Sequence, residues 1–125
     1  MAKRKKKEDT EILLGEIVKG MQEVRAREIV VIDLRGADGA MADYFVVCHG
    51  SSSTQVEAIS RSVERETLLN LGEKPFHVEG KQNSQWILMD YFNVIVHIFN
   101  ETTRNYYALE DLWADADFTH YEEVA

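Results

Sequence analysis

Only one cysteine and one proline occur in this chain, and no apolar run approaches the roughly 18 residues that would take a helix across a bilayer. The first absence bears on redox chemistry. Cys48 stands alone inside the apolar string YFVVC, so it reads as a small buried hydrophobe in a reducing compartment, not as half of a disulfide. The start, MAKRKKKEDT, has no apolar stretch behind its lysines and lacks the Ser/Arg amphipathic pattern of an organelle transit peptide. Export is therefore not expected, and a cytoplasmic protein with no membrane contact is. HxxxH and CxxC spacings, Walker or dinucleotide-binding glycines, internal repeats and low-complexity segments are missing as well. No metal and no cofactor are expected.

What is present is charge, unevenly spread. The formal net charge is −8, and Lys3, Arg4, Lys5, Lys6 and Lys7 supply five positives, so the rest of the chain stands at −13. Such a body is repelled by phosphate backbones and attracted to basic partners. Two readings stay open for the short basic start: a solvated end, or a peripheral contact with nucleic acid.

The stretch from Trp86 to Phe99, WILMDYFNVIVHIF, organises the remainder. Two apolar runs flank Phe92-Asn93, and Asn tolerates the positive φ that a two-residue hairpin turn requires, so the run reads as a β-hairpin. With Tyr91 opposite Val94, the register pairs Met89 with Val96 and Ile87 with Ile98 on one wholly apolar face, the core face. Asp90 with Ile95, Leu88 with His97 and Trp86 with Phe99 fall on the other. That second face joins a large aromatic, a carboxylate and an imidazole in one row, as on a sheet only partly covered.

Helix and strand signals alternate around this hairpin. Asp9 or Thr10 caps a helix with Leu13, Leu14, Ile17, Val18, Met21 and Val24 at helical spacing, ending near Arg25. Glu28 to Leu34 is a β-branched strand, RGADGAMAD a loop, and Tyr44 to His49 a strand apolar enough to be buried on both faces. Ser52 with Gln55 resembles a capping box, Val56, Ile59, Val63 and Leu68 form a stripe, and Gly72 closes that helix before Pro75. Phe76 to Glu79 is a short strand. A last helix runs from a cap at Asn100 through Trp113, with Tyr106, Leu109 and Trp113 on one face and Leu112 beside them. The order αββαβββα argues for an α/β fold, a mixed β-sheet packed by helices. Residues 10–113 form one domain, between a basic tail at 1–9 and an acidic tail without clear period at 114–125.

A strand, then Gly50-Ser51-Ser52, then a helix N-terminus is an arrangement that can hold a phosphate on free backbone N–H groups, and it opens the active site of nucleotidyltransferases. Those enzymes also need closely placed carboxylates for divalent metals, usually an Asp-x-Asp pair on the following strand. The following strand here is FHVE, and Glu79 and Asp90 are single acids on separate strands. His97 and Asp90 share a hairpin face but lie diagonally across the ladder, with no evident nucleophile. No catalytic residue is assigned; a nucleotide-binding or nucleotidyltransferase-related enzyme is kept as the alternative function.

Several ordered strings, covering residues 10 to 113, resemble the ribosomal silencing factor (Iojap) family: Asp43-Tyr44-Phe45-Val46-Val47-Cys48, Gly50-Ser51-Ser52-Ser53 with Gln55-Val56, Trp86-Ile87-Leu88-Met89-Asp90-Tyr91, Val94-Ile95-Val96-His97-Ile98-Phe99, Arg104-Asn105-Tyr106-Tyr107, and Leu109-Glu110-Asp111-Leu112-Trp113. The resemblance implies a nucleotidyltransferase-like layout without the catalytic carboxylates, and no enzymatic activity. It also implies translation repression: binding to the free large ribosomal subunit through ribosomal protein L-fourteen, which blocks joining of the small subunit. The implied docking surface falls on Trp86, Met89 and Asp90, extended by Tyr107 and Glu110. A homodimer off the ribosome is a further expectation for an exposed apolar hairpin or last helix. Two positions depart from the family pattern: Phe92-Asn93 stands where Gly-Asp is usual, and His49 where a small hydroxyl residue is.

Overall fold

The computed structural model describes residues 7–124; the basic start, Lys3 to Lys6, and the Lys7 side chain lie outside them. Helix α1 (Lys7–Glu23) leads into strands β1 (Arg27–Asp33) and β2 (Tyr44–Gly50), helix α2 (Ser53–Leu71), strands β3 (His77–Glu79), β4 (Trp86–Asp90) and β5 (Val94–Asn100), helix α3 (Glu101–Tyr107), a 3-10 helix (Leu109–Trp113) and strand β6 (Asp117–His120). The six strands form one mixed sheet in the order β3-β4-β5-β2-β1-β6, parallel only between β2 and β5. No helix among the described residues is long and apolar enough to cross a membrane.

The hairpin has the register its sequence dictates: Trp86 pairs with Phe99, Ile87 with Ile98, Leu88 with His97, Met89 with Val96 and Asp90 with Ile95. Ile87, Met89, Val96 and Ile98 are fully buried against α1 and α2, together with Val46 and Cys48 from β2 and with Leu13, Ile17, Met21, Ile59 and Val63 from the helices. Burial pushes the Cys48 thiol up to about 12, the behaviour of an inert core residue. Strand β2 lies between β5 and β1, and it is buried on both faces, Val46 and Cys48 in the helical core and Val47 in the smaller one, as its composition requires.

Five local expectations need correction. Asp9 and Thr10 lie inside α1, not at its cap; Thr10 is buried, and its hydroxyl accepts a hydrogen bond from Asn93 Nδ2 at 2.7 Å. That bond holds Asn93 inside, and the Asn93 carbonyl oxygen accepts from the Asp43 and Tyr44 N–H groups, so the positive φ of the hairpin turn falls on Phe92 (φ 80). Ser52 Oγ does accept from the Gln55 N–H and Gly72 does close α2 in the left-handed region, but the apolar stripe passes through Thr67, bonded to the Tyr91 hydroxyl at 2.8 Å, and leaves Leu68 exposed. The last helix breaks at Ala108 (φ 47), where burial of Leu109 turns the chain into the 3-10 helix and leaves Tyr106 and Leu112 exposed. Finally, the acidic stretch after Trp113 supplies β6, which pairs Val30 with His120 and Ile32 with Phe118 along the β1 edge. Phe118 alone packs inward there, too little to show a period of two.

Helices α1 and α2 cross where Gly20 meets Val63. A Cβ at Gly20 would lie 2.8 Å from Val63 Cα, and Ser62 Oγ donates to the Gly20 carbonyl oxygen at 2.7 Å across the same contact. In a solvated helix Gly→Ala stabilises by about 1 kcal/mol. Here the sign reverses: Gly20→Ala is expected to cost roughly 2 kcal/mol, because backbone and not a flexible side chain must move. Urea denaturation of the single variant checks it.

Candidate functional site

The second face of the sheet is where the layers stop matching. Over β1 and β2 it is covered by Leu34, Ala40, Leu109, Trp113, Ala116 and Phe118, which close a smaller core on Val30, Ile32, Val47 and Phe99. Over β4 and β5 the cover ends, and Leu88, Asp90 and Ile95 are only half-buried. Trp86 sits at the boundary. Its ring lies 4.8 Å from that of Phe99, 5.0 Å from Tyr107 and 5.8 Å from His97, and its indole N–H donates to His97 Nδ1 at 3.0 Å. Tyr107 and Tyr106 extend this aromatic row outward, 52% and 81% exposed.

His97 lies beneath the row, nearly enclosed, with the Phe45 ring edge-on at 4.5 Å. Because the indole can only donate, His97 Nδ1 accepts and the ring proton resides on Nε2, which is buried without a hydrogen-bond partner among the described residues. Burial pushes the imidazole down to about 4. It is therefore neutral near pH 7 and unsuited to general base catalysis there.

Of the residues singled out from the sequence, Trp86, Asp90 and Tyr107 share this side of the sheet. Asp90 Oδ1 accepts the Phe92 N–H at 2.7 Å and braces the turn. Met89 does not join them; it is fully buried on the opposite face, against the helical layer. Glu110 is engaged elsewhere, its Oε2 accepting from Arg104 Nε at 3.3 Å and Nη2 at 3.0 Å.

Arg104 is the functional-looking residue that sequence patterns do not reveal. It is almost fully buried, and its Nη1 donates to the carbonyl oxygens of Glu28 (2.8 Å) and Arg27 (3.4 Å) and to His49 Nδ1 (3.0 Å). A bulge between Arg27 and Val30, with Glu28 at φ 47, takes those carbonyls out of the β1–β2 ladder, and the guanidinium satisfies them. Burial first, then the Arg104 charge, holds the His49 imidazole below its usual range. The one local hint was an arginine four residues past a helix cap; the partners lie 55 to 77 residues away.

The Gly50-Ser51-Ser52 turn is filled from within. Gln55 Oε1 accepts from the Ser51 N–H at 2.8 Å and hydroxyl at 3.0 Å, while its Nε2 donates to the carbonyl oxygens of Val24 and Arg25. The Ser51 N–H, just before the Ser52 cap, is thus already bonded. Among the described residues no three of His, Cys, Asp and Glu come together as a metal site.

Two outcomes follow for stability. Arg104→Met strands the Glu110 carboxylate and the bulge carbonyls and is expected to cost about 3 kcal/mol or more, whereas Glu110→Gln keeps an acceptor and costs about 1 kcal/mol, both read from urea midpoints. For His97, the folded state holds the imidazole below its unfolded value, so the stability it confers is complete above about pH 6.5 and drains away as pH falls toward 4. Between pH 7.5 and 4.5 the wild type should lose roughly 2–3 kcal/mol more than His97→Leu; His49 titrates in both proteins and cancels.

Against known proteins, residues 6–125 match the family model described as ribosomal silencing factor during starvation, RsfS. A Bacillus subtilis protein named ribosomal silencing factor RsfS is 41% identical over 92 residues, 74% of this chain and 76% of its own length. Its namesake from Halalkalibacterium halodurans is 34% identical over 112 residues, 90% and 94% of the two chains. A crystal structure of a Chromobacterium violaceum protein superposes with a TM-score of 0.77 at 25% identity, covering 83% of this chain and 85% of that one. The chain belongs to the ribosomal silencing factor (RsfS) family.

Proposed function

We propose that this protein represses translation by occupancy. It binds the large ribosomal subunit through ribosomal protein L-fourteen and obstructs joining of the small subunit, with no chemistry of its own. The observation that carries the reading is the position of Trp86, anchored by Phe99 and His97 at the line where the cover of the second sheet face ends. A half-buried aromatic backed by a packed core is the kind of residue that dominates interface energetics, and Tyr107, 5.0 Å away ring to ring, extends it.

Charge complementarity supports a basic protein partner. Asp90 lies on the same face as Trp86, four residues along β4, and Asp38, Asp111, Asp115 and Asp117, with the Asp33–Arg35 ion pair, line a groove of about 530 Å³ beside Trp113. Acids at the rim speed encounter and suppress wrong partners more than they add affinity. Met89 serves the surface from behind, by packing under the hairpin, and Glu110 by holding Arg104 and with it the last turns of chain. An enzyme reading has less in its favour, since Gln55 occupies the turn that a nucleotide phosphate would need.

Co-sedimentation with purified large subunits, followed by light scattering of subunit joining, tests the proposal. Wild-type protein in excess should slow joining, Trp86→Ala should weaken binding roughly 30-fold, and Tyr107→Ala several-fold with an unchanged melting midpoint. Subunits that join at the same rate with excess protein present would overturn the reading. Sedimentation of the free protein at micromolar concentration reads out self-association.

A further inference from the structure

Resting on the docking role of Trp86 proposed above, we infer that His97 is a positioning residue for that docking, its Nδ1 fixing the orientation in which the Trp86 indole is presented to a protein partner. Three features of the site support this. The indole N–H to Nδ1 bond is 3.0 Å long and spans adjacent strands, diagonal to the Trp86–Phe99 pair, so it adds a directional restraint to the ring contact with Phe99. On its other side the imidazole is held by Phe45 and Phe99, so the acceptor cannot swing away with the indole. And the tautomer that makes Nδ1 an acceptor leaves the Nε2 proton buried with no partner among the described residues.

That last feature separates positioning from packing. A buried donor left unsatisfied destabilises, and an apolar side chain of similar volume would fill the space under Phe45 without it. The fold alone does not call for a histidine here. An interface does, because an indole ordered before contact loses less freedom on binding than one that samples several rotamers.

The experiment compares His97→Leu, which removes the acceptor, with His97→Asn, whose Oδ1 can stand near the place of Nδ1. Trp86→Ala is the reference. Three quantities are read for each: affinity for purified large subunits, melting midpoint, and the indole N–H resonance of Trp86 with its hydrogen-exchange rate, assigned with Trp113→Phe. The expected result is a split. His97→Leu binds roughly tenfold more weakly, the weight of one net hydrogen bond, its indole N–H exchanges faster, and its melting midpoint is equal to wild type or higher. His97→Asn recovers most of the affinity. If His97→Leu binds like wild type while Trp86→Ala does not, the inference fails and the docking reading stands. If both His97 variants lose affinity in step with melting midpoint, His97 is a packing residue and the inference fails likewise. If wild-type protein does not bind large subunits at all, the docking reading falls and takes the inference with it.

Discussion

The pairing of Trp86 with Phe99 across β4 and β5 governs which residues this protein shows and which it hides. Side chains alternate along a strand, so a slip of β4 by one residue would turn Ile87 and Met89 out to solvent and drive Asp90 into the helical layer. The slip is prevented at both ends of the hairpin. At the turn, Asp90 holds the Phe92 N–H, and Asn93 is bonded to Thr10 of α1 and to the backbone that starts β2. At the far end, the Asn100 N–H donates to the Gln85 carbonyl oxygen. The aromatic row is thus a consequence of core burial on the opposite face: the more strongly the helices hold Met89, the more firmly Trp86 is committed to the surface.

A second constraint sets the other edge of that surface. The β1 bulge leaves two carbonyls without ladder partners, and Arg104 meets them by reaching inward from α3. There the guanidinium also pairs with Glu110, six residues on, across the break of α3 at Ala108. The irregularity in β1 is thus tied by a polar network to α3, the helix whose last residue, Tyr107, packs beside Trp86.

The elements readable from the sequence are those whose signal is local or strictly periodic. The hairpin register followed from a two-residue turn and a period of two, the centrality of β2 from an unbroken apolar run, and the start and end of α2 from Ser52 and Gly72. What escaped was decided by distant partners. Thr10 and Thr67 are polar side chains in core positions, each met there by a hydroxyl or amide from the hairpin. Positive φ at Phe92 and Ala108 contradicts residue preference and is imposed by packing of Asn93 and Leu109. Strand β6 carries a single inward side chain, below the threshold of any pattern. At the site, Met89 was legible as core by parity, while the engagement of Glu110 by Arg104 required knowing where β1 bulges.

The Gly50-Ser51 turn shows how a layout suited to binding phosphate can be turned to other use. Its geometry, a parallel strand running into a helix N-terminus, leaves N–H groups that must be satisfied by something. In this protein Ser52 Oγ takes the Gln55 N–H, and the Gln55 side chain takes the Ser51 N–H just before the cap and ties the turn to the end of α1. A ligand would have to displace a side chain that makes four hydrogen bonds, two of them to another element of the fold. The Gln55 side chain thereby makes the turn a structural joint to the end of α1. The residues proposed to meet a partner, Trp86 and Tyr107, stand instead where the cover of the second face ends, the indole packed on Phe99 and Tyr107 and only half-buried.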